Sequence, residues 1–210
     1  MSIKAYLFDL DGTLANSERF YVDTIKKCLL ENGFIGDTSN FDEELAGLDD
    51  EKEQLFISKS LNISFNDAKK LYEKFFRENV IDYRYFIFPD ALETITKLKV
   101  MGYKLAICSN NTEENVQQFL SCGFEEMFDC ELNIENSNCK SKPEPDMFLL
   151  AMKRLNVKPE ECVVVEDSSL GVEAGLRSGA YVVATRESGF KVDLSKAHKI
   201  INNLIELIRE

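Results

Sequence analysis

A chain of 210 residues, 44% hydrophobic and 30% charged with ten Gly and four Pro, is long enough to bury a sizeable core and excludes disorder or a collagen-like repeat as its main state. Asp and Glu number 37 against 25 Lys and Arg, a formal net charge of -12. That balance disfavours a broad electrostatic grip on nucleic acid or on an anionic membrane, so neither partner is expected and any anionic ligand must be held by local positive charge.

The first predicted element is the β-favouring apolar run from Ile3 to Phe8, which ends at Asp9 and reads as a strand buried on both faces. From Asn16 to Phe88 the periods are only helical, with Phe20, Ile25, Cys28 and Leu29, then Leu55 and Phe56, then Ala68, Leu71, Tyr72, Phe75 and Phe76, predicting an all-helical insertion. Within it Phe75 and Phe76 are expected in the core, and Asp49-Asp50-Glu51 reads as a solvated helix start. Asp90 is placed to cap a helix carrying Leu92, Ile95 and Leu98 inward, stopped by Gly102. A second strand runs from Tyr103 to Cys108 and ends in Ser109-Asn110. Asn111 or Thr112 then opens a helix with Val116, Phe119 and Leu120 on one face, closed by Gly123. After a polar loop over Asn133 to Lys142, Asp146 opens a helix with Phe148, Leu149, Met152 and Leu155 inward.

The strand Cys162–Val165 ends in Glu166-Asp167. The helix after it, Leu170 to Ser178, sets Gly171, Ala174 and Gly175 on one bare face that can approach a sheet closely. Gly179 ends that helix, and Ala180 to Ala184 forms a further strand before Thr185. Alternation of this kind predicts an α/β core with a parallel sheet, spanning 1–15 and 89–210, with 16–88 as the helical insert.

No apolar run approaches the roughly 18 residues of a membrane span, and Met1 to Leu10 lacks the basic start and long apolar stretch of a signal peptide, so a cytoplasmic location is expected. Six cysteines, with no C-x-x-C pair, give no support for a zinc ribbon or disulfide framework and are expected mainly as small buried hydrophobes. Cys139 reads as incidental. The single imidazole, His198, reads as a surface or structural residue, so the chemistry falls to carboxylates, hydroxyls and lysine.

In an open parallel sheet the ligand site lies outside the C-terminal ends of the strands, which brings Asp9, Asp11, Ser109, Asn110, Glu166 and Asp167 together. So many like charges need compensation. Hard oxygen ligands of this kind suit Mg²⁺, a phosphate group would complete the site, and Lys142 can supply positive charge.

Phe8-Asp9-Leu10-Asp11-Gly12-Thr13-Leu14 resembles the opening motif of the haloacid dehalogenase superfamily. Cys108-Ser109-Asn110 is similar to its second motif, Lys142-Pro143-Glu144-Pro145-Asp146 to its third and Glu166-Asp167-Ser168 to its fourth. The resemblance covers nearly the whole chain and implies a Rossmann-like core with an inserted helical cap domain. It implies that Asp9 attacks phosphorus to form an aspartyl-phosphate, and that Asp11 protonates the leaving oxygen and later takes a proton from water. Thr13 would orient the nucleophile, and Ser109, Asn110 and Lys142 would hold the phosphoryl oxygens. Asp9, Asp167 and the main-chain carbonyl of Asp11 would hold Mg²⁺, with Glu166 acting through water or Lys142.

A helical insert directly after the first motif resembles the cap of the β-phosphoglucomutase-like branch. The implied activity is Mg²⁺-dependent hydrolysis of a small phosphorylated metabolite such as a sugar phosphate, by a chain expected to act as a monomer. The alternatives are a phosphohexomutase and, from another class, a non-catalytic binding protein on the same fold. Asp11 argues against dehalogenases and phosphonoacetaldehyde hydrolases, which lack it. Mutases of the branch carry a histidine where Tyr21 stands and an arginine where Asp49 or Asp50 follows Gly47, and acidic residues there would repel a second phosphate. Arg19, Tyr21, Lys52, Lys74, Arg77 and Arg84 are candidate substrate contacts.

Overall fold

The computed structural model describes residues 2–45, 48 and 50–208, so Gly47 and Asp49, used above against a mutase, lie outside the described residues. Two compact units are present. The first comprises 1–16, 82–189 and 193–210, and the second 17–81 with 190–192.

The first unit is built on a six-stranded sheet in the order β3-β2-β1-β4-β5-β6, all of whose pairings are parallel. The strands are β1 (Ala5–Phe8), β2 (Lys104–Cys108), β3 (Cys130–Leu132), β4 (Cys162–Glu166), β5 (Tyr181–Thr185) and β6 (Lys199–Ile201). Four match the apolar runs read from the sequence. The edge strands β3 and β6 are three residues each, too short to show a pattern of their own, and they form because an established neighbour offers a free row of backbone groups. β1 is buried at all four positions and β4 at all five, as expected for central strands covered on both faces. Phe8 lies beside Ile107 of β2 and Val165 of β4, so these three strands end level with one another. The chain order reverses between β1 and β4, which is where a doubly wound sheet opens its crevice.

The helices of this unit are α5 (Ala91–Val100), α6 (Glu113–Leu120), α7 (Ile134–Ser137), α8 (Asp146–Leu155) and α9 (Ser169–Ser178), numbered after the four helices of the second unit. A Cβ on Gly175 of α9 would meet Val182 at 2.9 Å and Val164 at 3.0 Å, so the bare helix face is what lets α9 lie on β4 and β5. Two inward assignments are corrected. Leu92 and Leu149 are exposed, and Thr94 in α5 and Met147 and Ala151 in α8 are buried in their place, because the faces against the core are rotated from those the leucines mark. Asp90 stands at the N-cap of α5 but makes no side-chain cap bond; its carboxylate instead accepts from the Ile205 N–H at 2.8 Å. The predicted loop before Lys142 contains α7, which Asn133 opens by accepting from the Glu135 and Asn136 N–H groups.

Residues 82–88, read from the sequence as part of the helical insert, pack with the sheet unit. Backbone bonds explain this: Asn16 N–H donates to the Phe86 carbonyl at 2.7 Å and Phe88 N–H to the Leu14 carbonyl at 3.1 Å. His198 is structural, its Nδ1 accepting from the Val182 N–H at 3.0 Å. Cys28, Cys108, Cys130 and Cys162 are buried.

The second unit contains α1 (Ser17–Glu31), α2 (Phe41–Leu45), α3 (Asp50–Leu61) and α4 (Phe65–Glu78). Val22, Ile25, Leu29, Leu45, Ile57 and Phe75 form its core, with Phe76 packed against it. Leu55, expected on that face, is exposed. Arg19 is engaged inside the unit, paired with Asp42 at 2.8 Å and 5.1 Å from the centre of the Phe190 ring. Arg84, named with the insert's candidate contacts, belongs to the sheet unit and pairs with Asp82 at 2.6 Å.

Candidate active site

Because β1, β2 and β4 end level, the polar residues that follow them start from neighbouring points. Asp9 N–H donates to the Val165 carbonyl at 3.0 Å and Ser109 N–H to the Leu132 carbonyl at 3.0 Å. After Asp9 the chain turns sharply at Gly12, whose φ is +82°. A Cβ there would overlap the Asp167 carboxylate, so glycine is required both by the left-handed backbone and by the close approach.

Three carboxylates converge at this turn. One oxygen each of Asp9, Glu166 and Asp167 lies within 4.8 Å of the others, and all three residues are buried. The Lys142 Nζ donates to Asp9 Oδ1 and to Glu166 Oε1 at 2.6 Å. The other oxygen of Glu166, Oε2, accepts from Asp167 N–H at 3.1 Å, Ser168 N–H at 3.3 Å and Ser168 Oγ at 3.0 Å. A Cβ on Gly171 would overlap the Glu166 carboxylate. Glu166 is thus seated in a cradle of donors with one oxygen on the lysine.

Burial is the largest influence on Asp9 and pushes its carboxyl up to about 8. Lys142 pulls it back, and the Glu166 and Asp11 charges add to the rise. Burial pulls the Lys142 ammonium down, but Asp9 and Glu166 outweigh it and hold the lysine protonated. Three buried carboxyl groups share one ammonium here, fewer positive partners than acidic groups. That deficit, the all-oxygen donor set and the packing of Asp167 against a glycine turn fit a small divalent cation held by Asp9 and Asp167.

The remaining candidates take distinct places. Thr13 Oγ1 donates to Asp167 Oδ1 at 3.4 Å and not to Asp9, the nucleophile it is expected from the sequence to orient. Ser109 is buried, with its Oγ accepting from Asn111 N–H at 3.0 Å and standing 3.5 Å from Asp11 Oδ2. Asn110 is exposed, and its Oδ1 accepts from the Lys142 N–H at 3.2 Å, a contact that positions the lysine segment. Two residues outside the sequence-derived set touch the site: Tyr83 Oη donates to Asp11 Oδ1 at 2.8 Å and Asn111 Nδ2 to Asp11 Oδ2 at 2.8 Å. Asn111 directly follows the second motif and was read only as a possible helix cap, while Tyr83 carried no signal in the sequence.

A family model described as haloacid dehalogenase-like hydrolase matches residues 3–179. The chain is 25% identical over 229 aligned residues to the phosphorylated carbohydrates phosphatase of Thermotoga maritima, covering 98% of this chain and 100% of that one. It is 29% identical over 205 residues to the bifunctional riboflavin kinase/FMN phosphatase of Arabidopsis thaliana, covering 96% of this chain but 53% of the relative, so it spans about half that protein's length. Among solved structures, a HAD family hydrolase from Deinococcus radiodurans R1 with bound phosphate and sodium superposes with a TM-score of 0.77 at 25% identity, covering 98% of this chain and 93% of that one. With the four motifs gathered at the sheet's crevice and the family model spanning most of its length, the chain belongs to the haloacid dehalogenase-like hydrolases.

Proposed function

We propose that the chain is a Mg²⁺-dependent phosphatase that hydrolyses a small phosphorylated metabolite through an aspartyl-phosphate on Asp9. The observation that carries this reading is the buried Asp9 carboxylate paired with Lys142 beside Asp167, two residues before a second carboxylate at Asp11. The phosphatase activities in the names of the Thermotoga and Arabidopsis relatives support the same reaction class.

The chemistry follows from the side chains. Asp9 offers an oxygen to phosphorus, the bond from phosphorus to the ester oxygen breaks, and that oxygen leaves with a proton from Asp11. A water then attacks the phosphorus of the aspartyl-phosphate and gives its proton to Asp11, and the bond to Asp9 breaks to release inorganic phosphate. Lys142 and Ser109 hold the phosphoryl oxygens, and Asn110 and Glu166 position Lys142. Asp9, Asp167 and the main-chain carbonyl of Asp11 would hold Mg²⁺, which would neutralise charge building on the phosphoryl group and favour the ionised form of Asp9. Tyr21, standing where mutases of the branch carry a histidine, supports water over a second sugar hydroxyl as the acceptor.

Phosphate release from a panel of sugar phosphates, nucleotides and small phosphomonoesters tests this reading. The expected result is activity lost in excess chelator, restored by Mg²⁺ and absent in Asp9→Asn. Full turnover in chelator, or isomerisation of β-glucose 1-phosphate outpacing phosphate release, would overturn it.

A further inference from the structure

Asp11 is held through both of its carboxylate oxygens by two residues outside the four motifs. Tyr83 donates to Oδ1 at 2.8 Å, Asn111 Nδ2 donates to Oδ2 at 2.8 Å, and Asn111 Nδ2 stands 3.2 Å from Tyr83 Oη. Each donor is itself anchored. Tyr83 is fully buried, packs edge-on against Phe119 with ring centres 6.0 Å apart, and sits at the start of a 3-10 turn, Tyr83–Tyr85, opened by Asp82. The Asn111 amide has only one possible orientation, because its Oδ1 accepts from Thr112 N–H at 2.8 Å and from Asn115 Nδ2 at 2.7 Å, which leaves Nδ2 to face Asp11.

The Asp11 carboxylate, one residue before the Gly12 turn, would otherwise rotate about its last torsion, and proton transfer needs it within hydrogen-bond reach of the leaving oxygen. We propose that Tyr83 and Asn111 are positioning residues that set the plane of the Asp11 carboxyl for proton transfer to the departing oxygen. The inference rests on the reading of Asp11 as the proton carrier. It assigns to 82–88, the stretch between the helical unit and α5, a part in the reaction beyond connecting the chain.

The test compares two substrates in kcat/KM, which reports the chemistry up to aspartyl-phosphate formation. An alkyl ester such as β-glycerol phosphate needs a proton on its leaving oxygen, whereas p-nitrophenyl phosphate releases a stable anion without one. Tyr83→Phe removes only a hydroxyl from a buried ring. It is expected to lower kcat/KM for the alkyl ester about 10- to 100-fold, to change the aryl ester by less than about threefold, and to leave the Mg²⁺ needed for half activity unchanged. Asn111→Asp keeps the oxygen that accepts from Thr112 and Asn115 but turns the donor facing Asp11 into an acceptor, and it is expected to show the same split between substrates.

Equal losses on both substrates, or no loss on either, would overturn the assignment and leave the two residues as structural supports. Asp11→Asn separates this outcome from failure of the phosphatase reading. If Asp11→Asn loses the alkyl ester while Tyr83→Phe does not, only the positioning role falls. If Asp11→Asn retains wild-type turnover of both esters, the reading of Asp11 falls and the positioning role with it.

Discussion

Two groups of carboxylates sit in the sheet unit, and they differ in what surrounds them. At the crevice, Asp9, Glu166 and Asp167 are gathered around Lys142. Beyond β5, Glu187 lies against Asp90, with no cation paired to either among the described residues, and the pair is gripped by consecutive backbone donors: Leu204 N–H to Glu187 Oε2 at 2.9 Å and Ile205 N–H to Asp90 Oδ2 at 2.8 Å. Burial raises the Asp9 carboxyl to about 8 and the Glu187 carboxyl to about 7. A raised carboxyl therefore does not mark the reactive site by itself. The crevice differs in holding a lysine, a third carboxylate and the level ends of three strands, so charge can be exchanged there with a ligand. At the second pair Asp90 Oδ1 is buried without a hydrogen-bond partner, and a proton on Glu187, whose carboxyl burial raises, would give it a donor.

The largest effect separating the two groups is chemical. Asp9→Asn should lower turnover by roughly 10⁴-fold or more, as loss of a nucleophile does, while the thermal unfolding midpoint holds, because Lys142 keeps Glu166 as a partner. Glu187→Gln should leave turnover within about twofold of wild type, since no ligand charge is handled there. Comparable losses in the two variants would erase the distinction.

Next in size is removal of the cation. Lys142→Ala leaves Asp9 and Glu166 facing one another without compensation in a buried site. Breaking a buried ion pair from one side costs about 3–5 kcal/mol, and urea unfolding at neutral pH should show a loss of that order together with loss of activity. Unchanged stability would mean that the carboxylates relax by taking up protons.

The smallest effect is a pH dependence of stability from Glu187. Its folded value of about 7 lies above the ordinary 4.5, so between those values the folded state binds more protons than the unfolded one, and stability falls as pH rises through that window. The contribution is present in full below about 4.5 and gone above about 7. Glu187→Gln keeps an N–H donor toward Asp90 at every pH. At pH 8 it should exceed wild type by roughly 1–2 kcal/mol, a figure reduced for a half-exposed carboxyl. Near pH 4.5 the two should converge, and a difference that does not depend on pH would show that Glu187 is ionised in the fold throughout.

Much of this site was legible along the chain because its residues follow strands whose composition announces them. Asp9, Ser109 and Glu166 each come directly after a run of apolar, mostly β-favouring residues, and parallel pairing in register brings those strand ends level. Local rules also predicted the glycine face of α9 and the helical insert, since periodicity is a property of neighbours in sequence. Tertiary structure alone decided which further groups touch the carboxylates of Asp11 and Asp90. Tyr83 reaches Asp11 across 72 residues, and Asp90 receives Ile205 across 115, separations at which no period or cap rule operates. The same holds for Thr94 taking the inward place read for Leu92, and for β3 and β6, whose three residues each become strands only when β2 and β5 present an edge. Composition and spacing determine which segments form and where their ends fall; which side chain finds which partner is decided only when those segments pack and every buried donor or acceptor must be matched.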